Sequence, residues 1–137
     1  MILKSIRVFK SNIIRTQLTQ TELDALANDF RRYKTGDGVP DLFGRDVPYD
    51  HPHTLPIIKN EEVWHMHLAD PEQPWPTFHT IQFRKTSDIH LVYCQGGIDQ
   101  SAYLLMTILS PDGHDQAKDN TVMCKLGFMA EKFRNRF

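Results

Sequence analysis

Apolar and polar positions change their period several times along the chain, and each change marks an element. Ile2 to Phe9 alternates, with Ile2, Ile6 and Val8 on one side and Leu3, Arg7 and Phe9 on the other, so it predicts a short strand, interrupted on its first face by Lys4. Leu23, Leu26, Ala27, Phe30 and Tyr33 then recur at helical spacing. Thr19 is placed to cap that helix with Glu22 in a capping box, Leu18 and Leu23 form a hydrophobic staple, and Gly36 is its natural stop.

Residues 35–60 break the period, because Gly, Pro and Asp recur and each Pro disfavours helix at the residue before it. They predict a long surface excursion with at most one short helical turn, near Asp41–Phe43, pinned to the core by Phe43, Leu55, Ile57 and Ile58. Alternation returns in Glu61 to Leu68, with Trp64, Met66 and Leu68 opposite Val63, His65 and His67. Thr77 to Lys85, Ile89 to Gln95 and Ser101 to Leu109 predict three further strands. The short Gly96-Gly97 connection between the last two implies an antiparallel meander. Val122, Met123, Leu126, Met129, Ala130, Phe133 and Phe137 form one stripe of a final helix, capped by Asp119 or Asn120.

The expected architecture is an α+β domain: a small antiparallel sheet of four to five strands flanked by an N-terminal and a C-terminal helix. At 137 residues, 40% hydrophobic and 24% charged, one domain over the whole chain buries a sufficient core without staples. The sequence carries neither an apolar run of membrane-spanning length nor a secretory h-region, which predicts a cytoplasmic protein. Cys94 and Cys124 lack metal or redox spacing and read as reduced thiols.

A net charge of −1 excludes a global field that draws the protein to nucleic acid, so phosphates must be met by a local patch. Lys125, Lys132, Arg134 and Arg136 against Glu131 make one candidate, and the same cations also suit the negative end of a helix dipole. Seven histidines raise the question of a metal; His65-x-His67 puts two imidazoles on one strand face and His51-x-His53 repeats the spacing, but no third ligand stands at a recognisable offset. Gly96-Gly97 lacks the rest of a phosphate loop, and Cys94 within an apolar strand is a poor nucleophile.

Arg84, Lys85, His90, His114, Asp115 and Lys118 are more coherent, since a meander brings strand ends together. Such a set suits metal-free RNA cleavage: one group takes the 2′-OH proton, another protonates the leaving 5′-oxygen, and a fixed cation offsets phosphorane charge. Histidine serves the proton steps because its unperturbed pKa is near 6.5.

FGRD at 43–46, HLVYCQG at 90–96, YLLMTILSPDGHDQAKDN at 103–120 and MAEKFR at 129–134 resemble the YafO family of bacterial toxins from type II toxin-antitoxin modules. The resemblance extends from IRVFKSNIIRTQLTQTELDAL to the C-terminal helix. It implies a RelE-like fold and a ribosome-dependent mRNA endonuclease that acts in the A site, arrests translation and is held inactive by a small cognate antitoxin. The broader class often has Arg where His90 stands, and basic or Tyr residues where His114, Asp115 and Lys118 stand. It also has a basic excess and a two-helix hairpin, in place of which this chain shows near-neutral charge and the 35–60 excursion.

The resulting expectation assigns His114, Lys118, Arg84, His90 and Asp115 to catalysis, and Lys85, Arg84, Lys118, Lys125 and Arg134 to RNA binding. Glu61 and His67 are fallback acid or base groups, and no metal or cofactor is implied. Phe83, Tyr93 and Tyr103 have the rings to stack on bases, although as strand residues they read as core. Phe128 and Phe137 beside the last helix mark a candidate antitoxin surface. Two competing functions are a RelE-fold toxin that inhibits a target such as gyrase without cutting RNA, and a metal-dependent hydrolase using His65 and His67.

Overall fold

The computed structural model describes residues 5–137. The strands are β1 (Arg7–Lys10), β2 (Phe43–Pro48), β3 (Trp64–Leu68), β4 (His90–Gln95) and β5 (Ala102–Leu109). The helices are α1 (Asn12–Gln17), α2 (Gln20–Thr35), α3 (Pro56–Asn60), α4 (Gly113–Gln116) and α5 (Asn120–Arg136), with a 3₁₀ turn at Gln82–Arg84. One sheet forms in the order β1-β5-β4-β3-β2, antiparallel throughout except for the parallel β1–β5 pair.

Strand alternation assigns the two faces. Phe43, Met66, Leu91, Tyr93 and Leu105 meet Leu23, Leu26 and Phe30 of α2, while Val63, Val92, Cys94, Leu104 and Met106 meet Met123, Leu126, Ala130 and Phe133 of α5. Because both faces are covered, β4 and β5 are almost wholly buried and read as continuous apolar runs. Each fully buried Leu or Phe contributes about 1.5–3 kcal/mol through removal from water. On the α2 face Asp46 accepts from Tyr33 Oη (2.8 Å) and Tyr93 Oη (2.6 Å), and Lys34 Nζ stands 3.6 Å from the same carboxylate.

The expected α+β class and flanking helices are present. The capping box at Thr19 and Glu22 forms, Gly36 adopts the left-handed conformation at the helix end, and Asp119 caps α5. β1 begins at Arg7, and the part of its expected span at Ile2, Leu3 and Lys4 lies outside the described residues. The short α1, capped by Ser11, is not evident in the sequence pattern and adds one helix ahead of α2.

Two expectations are corrected. The 35–60 stretch is not a loop excursion: it contains the edge strand β2 and the helix α3. The two prolines inside these elements occupy permitted places, Pro48 at the last residue of an edge strand and Pro56 at the start of a helix, where a missing N–H costs nothing. Conversely, Thr77–Lys85 is no strand: β2 takes the place beside β3, and part of this segment coils into the 3₁₀ turn. The segment instead wraps the β2 edge: Gln82 Nε2 donates to the Gly44 carbonyl (2.9 Å), and Arg45 N–H donates to the Lys85 carbonyl (2.8 Å). Gly44 is required for this approach, since a Cβ there would stand 2.2 Å from the Lys85 oxygen.

Candidate active site

The β3–β4 register sets His67 directly opposite His90 and His65 opposite Val92. Residues two apart share a face, so all three imidazoles project to one side of the sheet. Ring centroids are 4.3 Å apart for His67 and His90, 5.2 Å for His65 and His90, and 5.5 Å for His65 and His67. His67 and His90 are buried, and His65 lies flat on the Tyr49 ring at 4.1 Å.

Ser87, in the turn before β4, organises the pair. Its N–H donates to His67 Nδ1 (2.8 Å), and His90 Nε2 donates to its carbonyl (2.8 Å). For His90 that bond leaves Nδ1 as the acceptor in the neutral state, while His67 Nδ1 stands within reach of both the Ser87 N–H and the Ser87 carbonyl (2.9 Å). Nδ1 of His90 and Nδ1 of His65 are buried without a hydrogen-bond partner among the described residues.

Desolvation is the first cause of depressed basicity in all three rings, and mutual repulsion adds to it. His65 is pushed down to about 3 and His67 to about 4; His90 is also lowered, against opposition from the Ser87 hydrogen bond and the Asp88 charge. At neutral pH the cluster is therefore a set of uncharged imidazoles.

Two elements bring other groups to it. After β5 the chain turns into α4 across His90: Gly113 N–H donates to the Asp88 carbonyl (2.8 Å) and His114 N–H to the Asp88 carboxylate (3.2 Å). Gly113 permits the crossing, because a Cβ there would lie 2.8 Å from the Asp88 oxygen and 3.1 Å from the His90 ring. On the other side, a register shift between Phe43 and Asp46 turns Arg45 to the histidine face. Arg45 Nε donates to the Phe83 carbonyl (2.7 Å), its guanidinium lies 4.0 Å from the Phe83 ring centroid, and its charge further lowers His65 and His67.

A cleft of about 670 Å³ opens over this face, lined by His65, His90, His114, Lys118 and Tyr49, with His51 and His53 on its rim loop. Of the sequence-predicted residues, His90, His114 and Lys118 meet there, and His67 lies in the cluster beneath. Asp115 is exposed and 3.9 Å from Lys118, a weak pair in solvent. Arg84 and Lys85 sit on the loop at the β2 edge and do not line the cleft. Lys125 is exposed on α5. Arg134 instead holds α5 to the sheet and to α3: it donates to the Gln95 carbonyl (3.1 Å) and Glu62 (3.0 Å) and stands 3.9 Å from Glu61. Glu61 is thereby engaged by Arg134, away from the cleft.

Sequence reasoning missed Arg45, Ser87 and Asp88, and considered His65 only as a metal ligand. The Gly-Arg step in FGRD and the Ser-Asp step before the β4 run are the local signals; strand register is what gives them meaning. Among the described residues no group of three or more His, Cys, Asp or Glu is arranged to hold a metal ion. No described helix is long and apolar enough to cross a membrane.

Residues 31–135 match the family described as toxin YafO of a type II toxin-antitoxin system. The chain belongs to the YafO toxin family. It is 53% identical over 132 residues to the mRNA interferase toxin YafO of Escherichia coli strain K12, covering 96% of this chain and 99% of that protein. No solved structure matches.

Proposed function

We propose that this toxin is an endoribonuclease that cuts mRNA presented in the ribosomal A site, by acid/base chemistry without a metal, and that a cognate antitoxin restrains it in the cytoplasm. The observation that carries the reading is the meeting of His114, neutral His90 and the Lys118 cation in one cleft, with the Arg45 charge felt by the neighbouring His65 and His67. The name of the Escherichia coli relative supports the substrate.

In this reaction a base removes the 2′-OH proton, the 2′-oxygen attacks phosphorus, and the P–O5′ bond breaks as an acid protonates the leaving oxygen. The products are a 2′,3′-cyclic phosphate and a 5′-hydroxyl. His114, open to the cleft, takes one proton step. Neutral His90, whose ring lines the cleft and is held in place by Ser87, is the partner for the other. Lys118 and Arg45 balance charge on the phosphorane, and Asp88 positions His114 through the α4 backbone. The near-neutral chain suits a substrate presented by the ribosome, because local cations then suffice.

Cleavage mapped with and without ribosomes, with the chemistry of the new ends determined, tests this. Activity should require ribosomes, yield 2′,3′-cyclic phosphate and 5′-hydroxyl ends and fall about 10²-fold or more in His114→Ala. Ends carrying a 5′-phosphate, or an unimpaired His114→Ala, overturn the assignment.

A further inference from the structure

We propose that Phe83 and Arg45 form a stacking subsite for a base of single-stranded RNA beside the cut phosphate; this rests on the endoribonuclease reading. The 69–89 connection carries three large apolar side chains in solvent: Phe78, Ile81 and Phe83 are 77%, 58% and 59% exposed. An aromatic ring on a slack loop would fold back onto apolar surface. Here the loop is fastened on several sides. Gln82 Nε2 donates to the Gly44 carbonyl and to Tyr33 Oη (3.0 Å), Trp75 Nε1 donates to the Thr86 carbonyl (2.8 Å), and the Lys85 carbonyl accepts from Arg45 N–H. The Phe83 ring is thus held outward by the backbone around it.

Arg45 gives that ring its meaning. The guanidinium is stacked over it at 4.0 Å and spends Nε on the Phe83 carbonyl, which fixes its plane; neither Nη has a partner among the described residues. A planar cation on an aromatic ring is a stack that a nucleobase extends, with no demand on base identity. The same guanidinium is near enough to His65 and His67 to bias their protonation, so it spans the distance between a stacked base and the histidine cluster. A nucleotide has that pairing of parts, a flat ring and an adjoining phosphate. Arg84, exposed on the same 3₁₀ turn, adds positive charge along the path of the strand.

The test uses the full chain on ribosomes carrying mRNA with 5-iodouridine in and beside the cleaved codon and 2′-deoxy sugars that prevent cutting. Ultraviolet cross-linking followed by peptide mapping should place the adduct on Phe83. In cleavage assays on ordinary mRNA, Phe83→Ala and Phe83→Leu should each lower kcat/KM about tenfold or more, while Phe83→Trp stays within about threefold of the parent. Thermal midpoints of all three should be near that of the parent, since the ring is largely exposed. A Phe83→Leu chain as active as the parent, or adducts confined to other residues, overturns the subsite. A Phe83 adduct from a protein that cuts no RNA upholds it and overturns the nuclease reading instead.

Discussion

His67 and His90 face each other across two strands at 4.3 Å, and both are tied to the backbone of Ser87, one to its N–H and the other to its carbonyl. Burial holds these rings and His65 neutral, and this has a consequence for stability. With folded pKa values of about 4 for His67 and about 3 for His65, and His90 also lowered, the unfolded chain binds more protons than the folded one below about pH 6.5. The contribution is complete above that pH and is lost progressively as pH falls toward the folded values. Urea midpoints should drop between pH 7 and pH 5, and the drop should shrink in His65→Phe, which keeps the stack on Tyr49 without the titrating group. A midpoint constant over that range would contradict the burial of neutral imidazoles.

Arg45 should act on both chemistry and titration. Replacing it with Ala is expected to lower cleavage by roughly 10²-fold, the scale for removing one preorganised charge donor, and Lys should not restore it because the fixed plane is lost. Since its charge depresses His65 and His67, the Ala variant should show both imidazoles titrating at higher pH in NMR spectra. Unmoved imidazole titrations would separate Arg45 from the cluster.

Gly44→Ala should be costly far from any reacting atom. The new methyl meets the Lys85 carbonyl at 2.2 Å and Trp75 at 2.8 Å, so either β2 or the loop must move. A loss of about 2 kcal/mol or more is expected in urea unfolding, with faster proteolysis between residues 77 and 85. Parent-like stability would mean that the loop does not clasp this edge.

Arg134→Ala distinguishes a structural cation from an RNA-binding one. It removes the bonds to the Gln95 carbonyl and Glu62 and leaves Glu61, whose Oε2 is already buried without a partner. About 1–2 kcal/mol of stability should be lost, discounted because Glu62 is exposed. The salt dependence of RNA binding should not change; a shallower slope would return Arg134 to the phosphate contacts.

The sheet and its helices were legible wherever side-chain period and capping chemistry agreed, as in α2 with Thr19, Glu22 and Gly36, and in β4 and β5 with their buried runs. Two kinds of information were not. Whether proline ends an element or forbids it depends on its place within the element, and Pro48 and Pro56 hid β2 and α3 for that reason. Whether an alternating segment pairs depends on how the chain lays it against the sheet, and Thr77–Lys85 meets the β2 edge through isolated bonds and a 3₁₀ turn in place of a ladder. The candidate site divides in the same way. His90, His114 and Lys118 stood out as residue types near strand ends, whereas His65, His67 and Arg45 join them only through the β3–β4 register and the β2 irregularity. Arg84 and Lys85 drew attention by charge alone, and their loop carries them to the β2 edge, outside the cleft.

The parallel pairing of β1 with β5 has a bearing on when the toxin becomes dangerous. The earliest strand finds its sheet neighbour in the latest, and α4, which delivers His114, follows that neighbour in the chain. A nascent chain therefore lacks both the completed sheet and the exposed histidine until most of its length has been synthesised. The strand that closes the sheet and the helix that carries His114 are thus made long after the strand they complete, and the cleft comes together only once both are present.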